Sequence, residues 1–201
     1  MDAVIYAGSH RRGGNSDRAA ELLAEGIHSA GGQADILFIR DYEIGHCKAC
    51  GFCDTATDCQ GQKRCALGQK DQAWELFEPL FTARAVFFTS PIYFYHLPSM
   101  FKTWVDRSQF LWTARRTNEP WTDLPERTAH TVLVAGRPRG EKLFEGARTS
   151  LKYFAVNFNL KLAEPLVFRG VDTPGDLEGH SDFTASITAL GRQAWSEAAQ
   201  R

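Results

Sequence analysis

The chain has few of the features that would mark a membrane, secreted or nucleic-acid-binding protein. No apolar run approaches the roughly 20 residues a membrane helix needs. A formal net charge of −1 gives no electrostatic reason to bind nucleic acid or acidic lipid. Cysteine is missing everywhere except residues 47 to 65, where all five occur. Disulfide frameworks of secreted domains spread their cysteines along the chain, and an odd number would leave one over. No basic region followed by a long apolar stretch opens the sequence. Together these point to a cytoplasmic protein. Internal repeats and low-complexity tracts are absent, and the six histidines show no metal-ligand spacing such as His-x-x-x-His. No side chain is assigned a catalytic role.

What is present is a chain of 201 residues, 43% hydrophobic and 23% charged, enough for one α/β domain over residues 1–201 with a real core. Ala3 to Ala7 is a short apolar run that reads as a buried strand. Gly8 ends it, a loop with Gly13 and Gly14 follows, and Asn15, Ser16 and Asp17 offer N-cap side chains to a helix with Ala20, Leu23, Ile27 and Ala30 inward. Further strands are expected at 34–39, 85–89, 131–135 and 161–168. Helices are expected at 71–81, 98–110 and 140–157, with a last one ending near Ala198. Residues 45–69 form a Cys-rich loop, and 113–127 read as a surface excursion. Five strands alternating with helices argue for a doubly wound parallel sheet with helices on both faces.

Between the first strand and helix lies an anion cradle. Helix N-terminal amides, Ser9, Asn15 and Ser16 supply donors, while Arg11 and Arg12 add charge and a bidentate fork for phosphate. Neither a Walker lysine nor the Gly-x-Gly-x-x-Gly spacing of dinucleotide loops is there. The third strand runs into Ser90-Pro91-Ile92-Tyr93-Phe94, whose apolar residues and main-chain groups suit a planar ring and its pyrimidine edge. A plain buried aromatic loop accounts for the same residues.

Gly8-Ser9-x-Arg11-x-x-Gly14-Asn15-Ser16 is similar to the signature of NAD(P)H-dependent FMN reductases, a branch of the flavodoxin-like flavoproteins. Ser90-Pro91-x-Tyr93 followed by Phe101-Lys102-x-x-x-Asp106-Arg107 resembles the second motif of that family, with Phe101 at a usual leucine. Lys102 and Asp106, four apart on a helix, read as a structural pair. The resemblance implies strand order 2-1-3-4-5 and bound FMN, held by Ser9, Arg11, Gly14, Asn15, Ser16, Ser90, Pro91, Ile92, Tyr93 and Phe94. It also implies a third flavin loop at Gly136.

Cys47-x-x-Cys50-x-x-Cys53-x5-Cys59 opens like a ferredoxin motif and offers the four thiolates a [4Fe–4S] cluster requires. Cys65 competes with Cys59 as fourth ligand. Zinc would accept four thiolates too, although two separated Cys-x-x-Cys pairs are missing, and free structural thiols are a further reading. The spacing resembles that of archaeal and bacterial iron–sulfur flavoproteins, which implies Cys47, Cys50, Cys53 and Cys59 as ligands and a homodimer or homotetramer. Two electron routes follow from the resemblance. One runs from a ferredoxin-like donor through cluster and FMN to a small acceptor. The other runs from NAD(P)H through FMN to a quinone or free flavin without a cluster. A flavodoxin-like electron carrier is the non-enzyme alternative.

Overall fold

The computed structural model describes residues 1–56 and 59–200. Its sheet is built from β1 (Ala3–Ala7), β2 (Ala34–Phe38), β3 (Ala85–Pro91), β4 (Arg127–Ala135), β5 (Leu160–Leu162) and β6 (Leu166–Arg169). The order is β2-β1-β3-β4-β5, all parallel, with β6 also on β4. This is the flavodoxin-like arrangement. The expected fifth strand, 161–168, is two short strands, because Pro165 has no N–H to continue the ladder. Ala163 N–H still reaches Ala129 O (2.9 Å) before the chain re-pairs at Val132↔Leu166.

Period-2 alternation in the central strands feeds two cores. Val4, Tyr6, Val86, Phe88 and Leu133 point to one face, where they meet α3 (Ala73–Thr82), α4 (Ser99–Arg107) and α6 (Glu145–Val156) through Phe77, Trp104 and Phe154. Ala3, Ile5, Phe87, Val132 and Val134 point to the other, under α1 (Asn15–Ser29) and α7 (Ser181–Ala199). Those two helices meet almost backbone to backbone. A Cβ on Gly26 would lie 2.1 Å from Thr188 O, and one on Gly191 2.3 Å from Leu23 O, so only glycine fits at the crossing. Arg127 spans the bottom of the sheet, its guanidinium donating to Ala83 O (2.6 Å), Leu80 O (2.7 Å) and Phe158 O (3.2 Å).

Several expected boundaries move for local reasons. The helix expected at 98–110 breaks at Ser108, whose hydroxyl donates to Val105 O (2.7 Å) and accepts from buried Asn157 Nδ2 (3.1 Å). The chain then starts a second helix, α5 (Gln109–Arg116), which buries Thr113 and Ala114. Residues 113–127 are therefore not a plain excursion: they contain the end of α5, a 3-10 turn at Pro120–Thr122 and the first residue of β4. The helix expected from 140 begins at Glu145. Within the Cys-rich loop, Phe52–Thr55 forms the one-turn helix α2 and Gly61–Arg64 a 3-10 turn. Among the described residues no helix is long and apolar enough to cross a membrane.

Candidate functional site

Strand order reverses between β1 and β3, so the loops at their carboxyl ends diverge and leave a crevice. A cleft of about 490 Å³ opens there, within the ordinary range for cofactor pockets. Its polar end is the β1–α1 loop, with Ser9, Arg11, Gly14, Asn15 and Ser16 on the wall. Gly14, not a side chain, is the N-cap of α1, with no side-chain cap hydrogen bond. The three expected capping side chains are thereby released for other work. Asp17 Oδ2 accepts from Gly13 N–H (2.8 Å), and Asp17 Oδ1 pairs with the buried Arg40 guanidinium (2.9 Å). Asn15 Nδ2 donates to Thr173 O (2.9 Å) while its Oδ1 accepts from Leu177 N–H (3.2 Å). Ser16 is buried and its hydroxyl has no hydrogen bond among the described residues. Asp17 N–H is bonded to Gly14 O (3.0 Å), and the Asn15 and Ser16 amides that begin α1 share this end with the Ser16 hydroxyl and the Arg11 guanidinium. Arg12 turns away to pair with Asp41.

The apolar end comes from Pro91, Ile92 and Tyr93 at the end of β3 and Val134, Gly136 and Pro138 after β4. Gly136 is needed by packing: a Cβ there would sit 2.8 Å from Asp172 Cγ. Two residues expected at the flavin, Ser90 and Phe94, are not on the cleft wall. Ser90 is fully buried in β3 and donates to Pro91 O (2.9 Å), away from the cleft. Phe94 is 101% exposed. It stands with Tyr95 at the tip of a tight turn, both in the left-handed region (φ 49° and 65°), closed by reciprocal Tyr93–His96 backbone bonds of 2.9 Å. That turn engages Tyr93 N–H, and Ile92 N–H is bonded to Val134 O (2.9 Å), so two of the main-chain donors expected to serve a pyrimidine edge are used within the fold.

Arg137 replaces part of that lost polarity. It lines the cleft, lies over the Tyr95 ring (5.8 Å) and donates to the Tyr95 hydroxyl (3.0 Å). A third wall, Val171, Asp172 and Pro174 in the loop after β6, is absent from the sequence-based site. Its signal is positional, since a Gly/Asp-rich loop leaving the carboxyl end of a parallel strand belongs at the crevice. Asp176 shapes the loop by accepting from the amides of Asp172 (2.9 Å) and Thr173 (2.7 Å) and from the Thr173 hydroxyl (2.6 Å). The Thr173 hydroxyl, then the two amides, hold the Asp176 carboxyl below its usual range. Behind the Tyr93 turn, His96 Nδ1 accepts from Leu97 N–H (2.9 Å), which leaves Nε2–H to donate to Ser150 Oγ (2.9 Å). Burial, with Lys102 nearby, pushes His96 below its ordinary pKa.

The family model for NADPH-dependent FMN reductase matches residues 1–154. The chain belongs to that family. Iron–sulfur flavoproteins are among its relatives, one from Archaeoglobus fulgidus at 33% identity over 44% of this chain and 40% of the relative. Another, from Methanosarcina thermophila, is 30% identical over 59% of this chain and 56% of the relative. The chain thus spans about half the length of the curated relatives it matches. Similar solved structures show the fold. A flavone reductase superposes with TM-score 0.71 at 14% identity, over 99% of this chain and 63% of that one. The NAD(P)H:quinone oxidoreductase of Methanothermobacter marburgensis gives 0.68 at 17% identity, over 96% and 94%. An archaeal flavodoxin gives 0.57 at 13% identity, over 99% of both.

In this family member the cysteines lie apart from the cleft. Cys47, Cys50, Cys53 and Cys65 line a second cavity of about 440 Å³, with Arg107, Phe110 and Trp112 opposite. Cys59 is half-buried and does not line it. All five are free thiols. Burial pushes the Cys53 thiol up, partly offset by a Thr113 hydrogen bond. Among the described residues no three His, Cys, Asp or Glu side chains form a group that could hold a metal ion. Four soft donors on one cavity suit an iron–sulfur cluster, whose iron and sulfide atoms stand between its thiolates.

Proposed function

We propose that this protein is an FMN-dependent oxidoreductase that takes electrons from NAD(P)H and passes them to a small acceptor such as a quinone or free flavin. One observation carries the reading: a single cleft joins an anion cradle to an apolar wall at the strand-order reversal. When bound, the flavin supplies both hydride and single-electron chemistry. The chain's part is to hold and orient it. Arg11, the Ser16 hydroxyl and the first-turn amides of α1 would bind the phosphate, and Asn15 locks α1 to the 171–177 loop beside it. Ile92, Tyr93 and Val134 would exclude water from one side of the ring, while Arg137 brings a positive charge to the other end of the cleft. A homodimer or homotetramer in the cytoplasm is part of the proposal; five free thiols and the bare Phe94 on the cleft rim are in keeping with it.

The four-cysteine cavity favours a second electron route, from a ferredoxin-like donor through a [4Fe–4S] cluster to FMN. Anaerobic turnover of the FMN-loaded protein tests the main reading. Sustained oxidation of NADPH or NADH with added quinone, at many equivalents per bound FMN, is expected. Reduction of one equivalent and no more would leave a carrier.

A further inference from the structure

We infer that Arg40, which is not on the cleft wall, is a positioning residue that makes the cleft select a phosphorylated flavin over an unphosphorylated one. The inference rests on the flavin reading above. Strand register brings Arg40 to the phosphate loop. Ala7 pairs with Phe38, so the residue two past β2 comes alongside Ser9, two past β1. One guanidinium nitrogen of Arg40 donates to Ser9 O (3.1 Å), Arg11 O (3.3 Å) and Asp17 Oδ1 (2.9 Å). The guanidinium also lies over the Phe38 ring, 4.5 Å from its centroid, which restrains its plane.

The peptides of the loop are trans, so a carbonyl turned toward Arg40 sends the following N–H the opposite way. The His10 and Arg12 amides are therefore directed away from Arg40, and neither meets an acceptor among the described residues. Backbone amides left free along such a loop are the donor set that holds a phosphate, and the same contacts keep two carbonyl oxygens off the anion. Asp17 works with Arg40. Its Oδ2 accepts from Gly13 N–H (2.8 Å), while the arginine offsets its negative charge, which would otherwise repel a phosphate at this end of the cleft. Both side chains are buried, 9% and 4% exposed, and a buried ion pair adds little to stability. Arg40 Nε is buried with no hydrogen-bond partner among the described residues. Shaping the loop is what this burial achieves.

Titration of the apoprotein with FMN and with riboflavin, read by flavin fluorescence, tests the inference, with circular dichroism as the check of folding. Wild type should prefer FMN about a hundredfold. Arg40→Met leaves the Asp17 carboxylate unpaired beneath the loop and should abolish most of that preference, with FMN weakened about a hundredfold and riboflavin by less than about threefold. Should that variant not fold, Arg40→Met combined with Asp17→Asn removes both buried charges and decides. It should still lose about tenfold of the preference, because the Ser9 and Arg11 carbonyls have lost their donor. A wild-type ratio of the two affinities in either folded variant would overturn the inference. Equal weakening of both flavins would overturn it too, since that marks a merely structural role. Equal binding of FMN and riboflavin by wild type would instead overturn the flavin-phosphate reading, and the inference with it.

Discussion

Replacing Asn15 by alanine and by aspartate separates two jobs that one side chain performs. Asn15 is buried, donates to Thr173 O at 2.9 Å and accepts from Leu177 N–H at 3.2 Å, so it ties the start of α1 to the loop after β6. Alanine removes both bonds. At about 1 kcal/mol each the loss is ~2 kcal/mol, which for a chain of this size lowers Tm by roughly 4–8 °C. Aspartate keeps the acceptor for Leu177 N–H and places a negative charge at a helix N-terminus, a favourable position that offsets the repulsion with Thr173 O. Its Tm should stay within about 3 °C of wild type. Anion binding should suffer most in the aspartate variant. A carboxylate about 6 Å from the phosphate at an effective dielectric constant of about 20 costs ~3 kcal/mol, roughly a hundredfold in affinity. Thermal unfolding monitored by circular dichroism and FMN titration by fluorescence quenching read the two effects separately. Wild-type FMN affinity in Asn15→Asp would refute the placement of the phosphate at this helix end.

Arg11→Ala should weaken FMN about tenfold in the same titration, the low end for a charge-assisted contact because the Arg11 side chain is exposed. Arg127→Met leaves three carbonyls without their donor and should cost ~3 kcal/mol in denaturant unfolding, with Arg127→Lys recovering only part. Burial depresses the pKa of both His96 and His130 in the folded chain, with Lys102 adding to the shift at His96. Asp106 and Glu197 pull the other way. Each histidine therefore contributes stability above its ordinary value of 6.5, and that contribution is lost as the pH falls below it. Unfolding midpoints should decline from pH 7 to 5, and less steeply in His130→Phe.

The parallel α/β alternation and the glycine loop between β1 and α1 were legible in the sequence because they rest on local signals, apolar strand runs and an amphipathic helix, whereas the strand order came from the resemblance to the family. What escaped it depends on partners distant in the chain. Nothing near Ser108 announces that Asn157, across the core, will help it break a helix. Phe94 reads as a ring contact until the left-handed Phe94–Tyr95 turn throws it outward. Asp172 and Pro174 enter the cleft on a loop that Arg11, Asn15 and Asp176 fix together. Arg137 acquires a place in the site through Tyr95, 42 residues earlier. Cys65 meets the buried Arg107 guanidinium, 42 residues away, at the wall of the cysteine cavity.

Parallel titrations of the apoprotein with FMN and with riboflavin test the central claim most directly, since the two differ only in the phosphate. A charge-assisted contact to Arg11 together with the α1 N-terminus is worth ~3 kcal/mol, so FMN should bind about a hundredfold more tightly than riboflavin. The gap should shrink in Arg11→Ala. Equal affinities for the two flavins, unchanged by that substitution, would contradict the account.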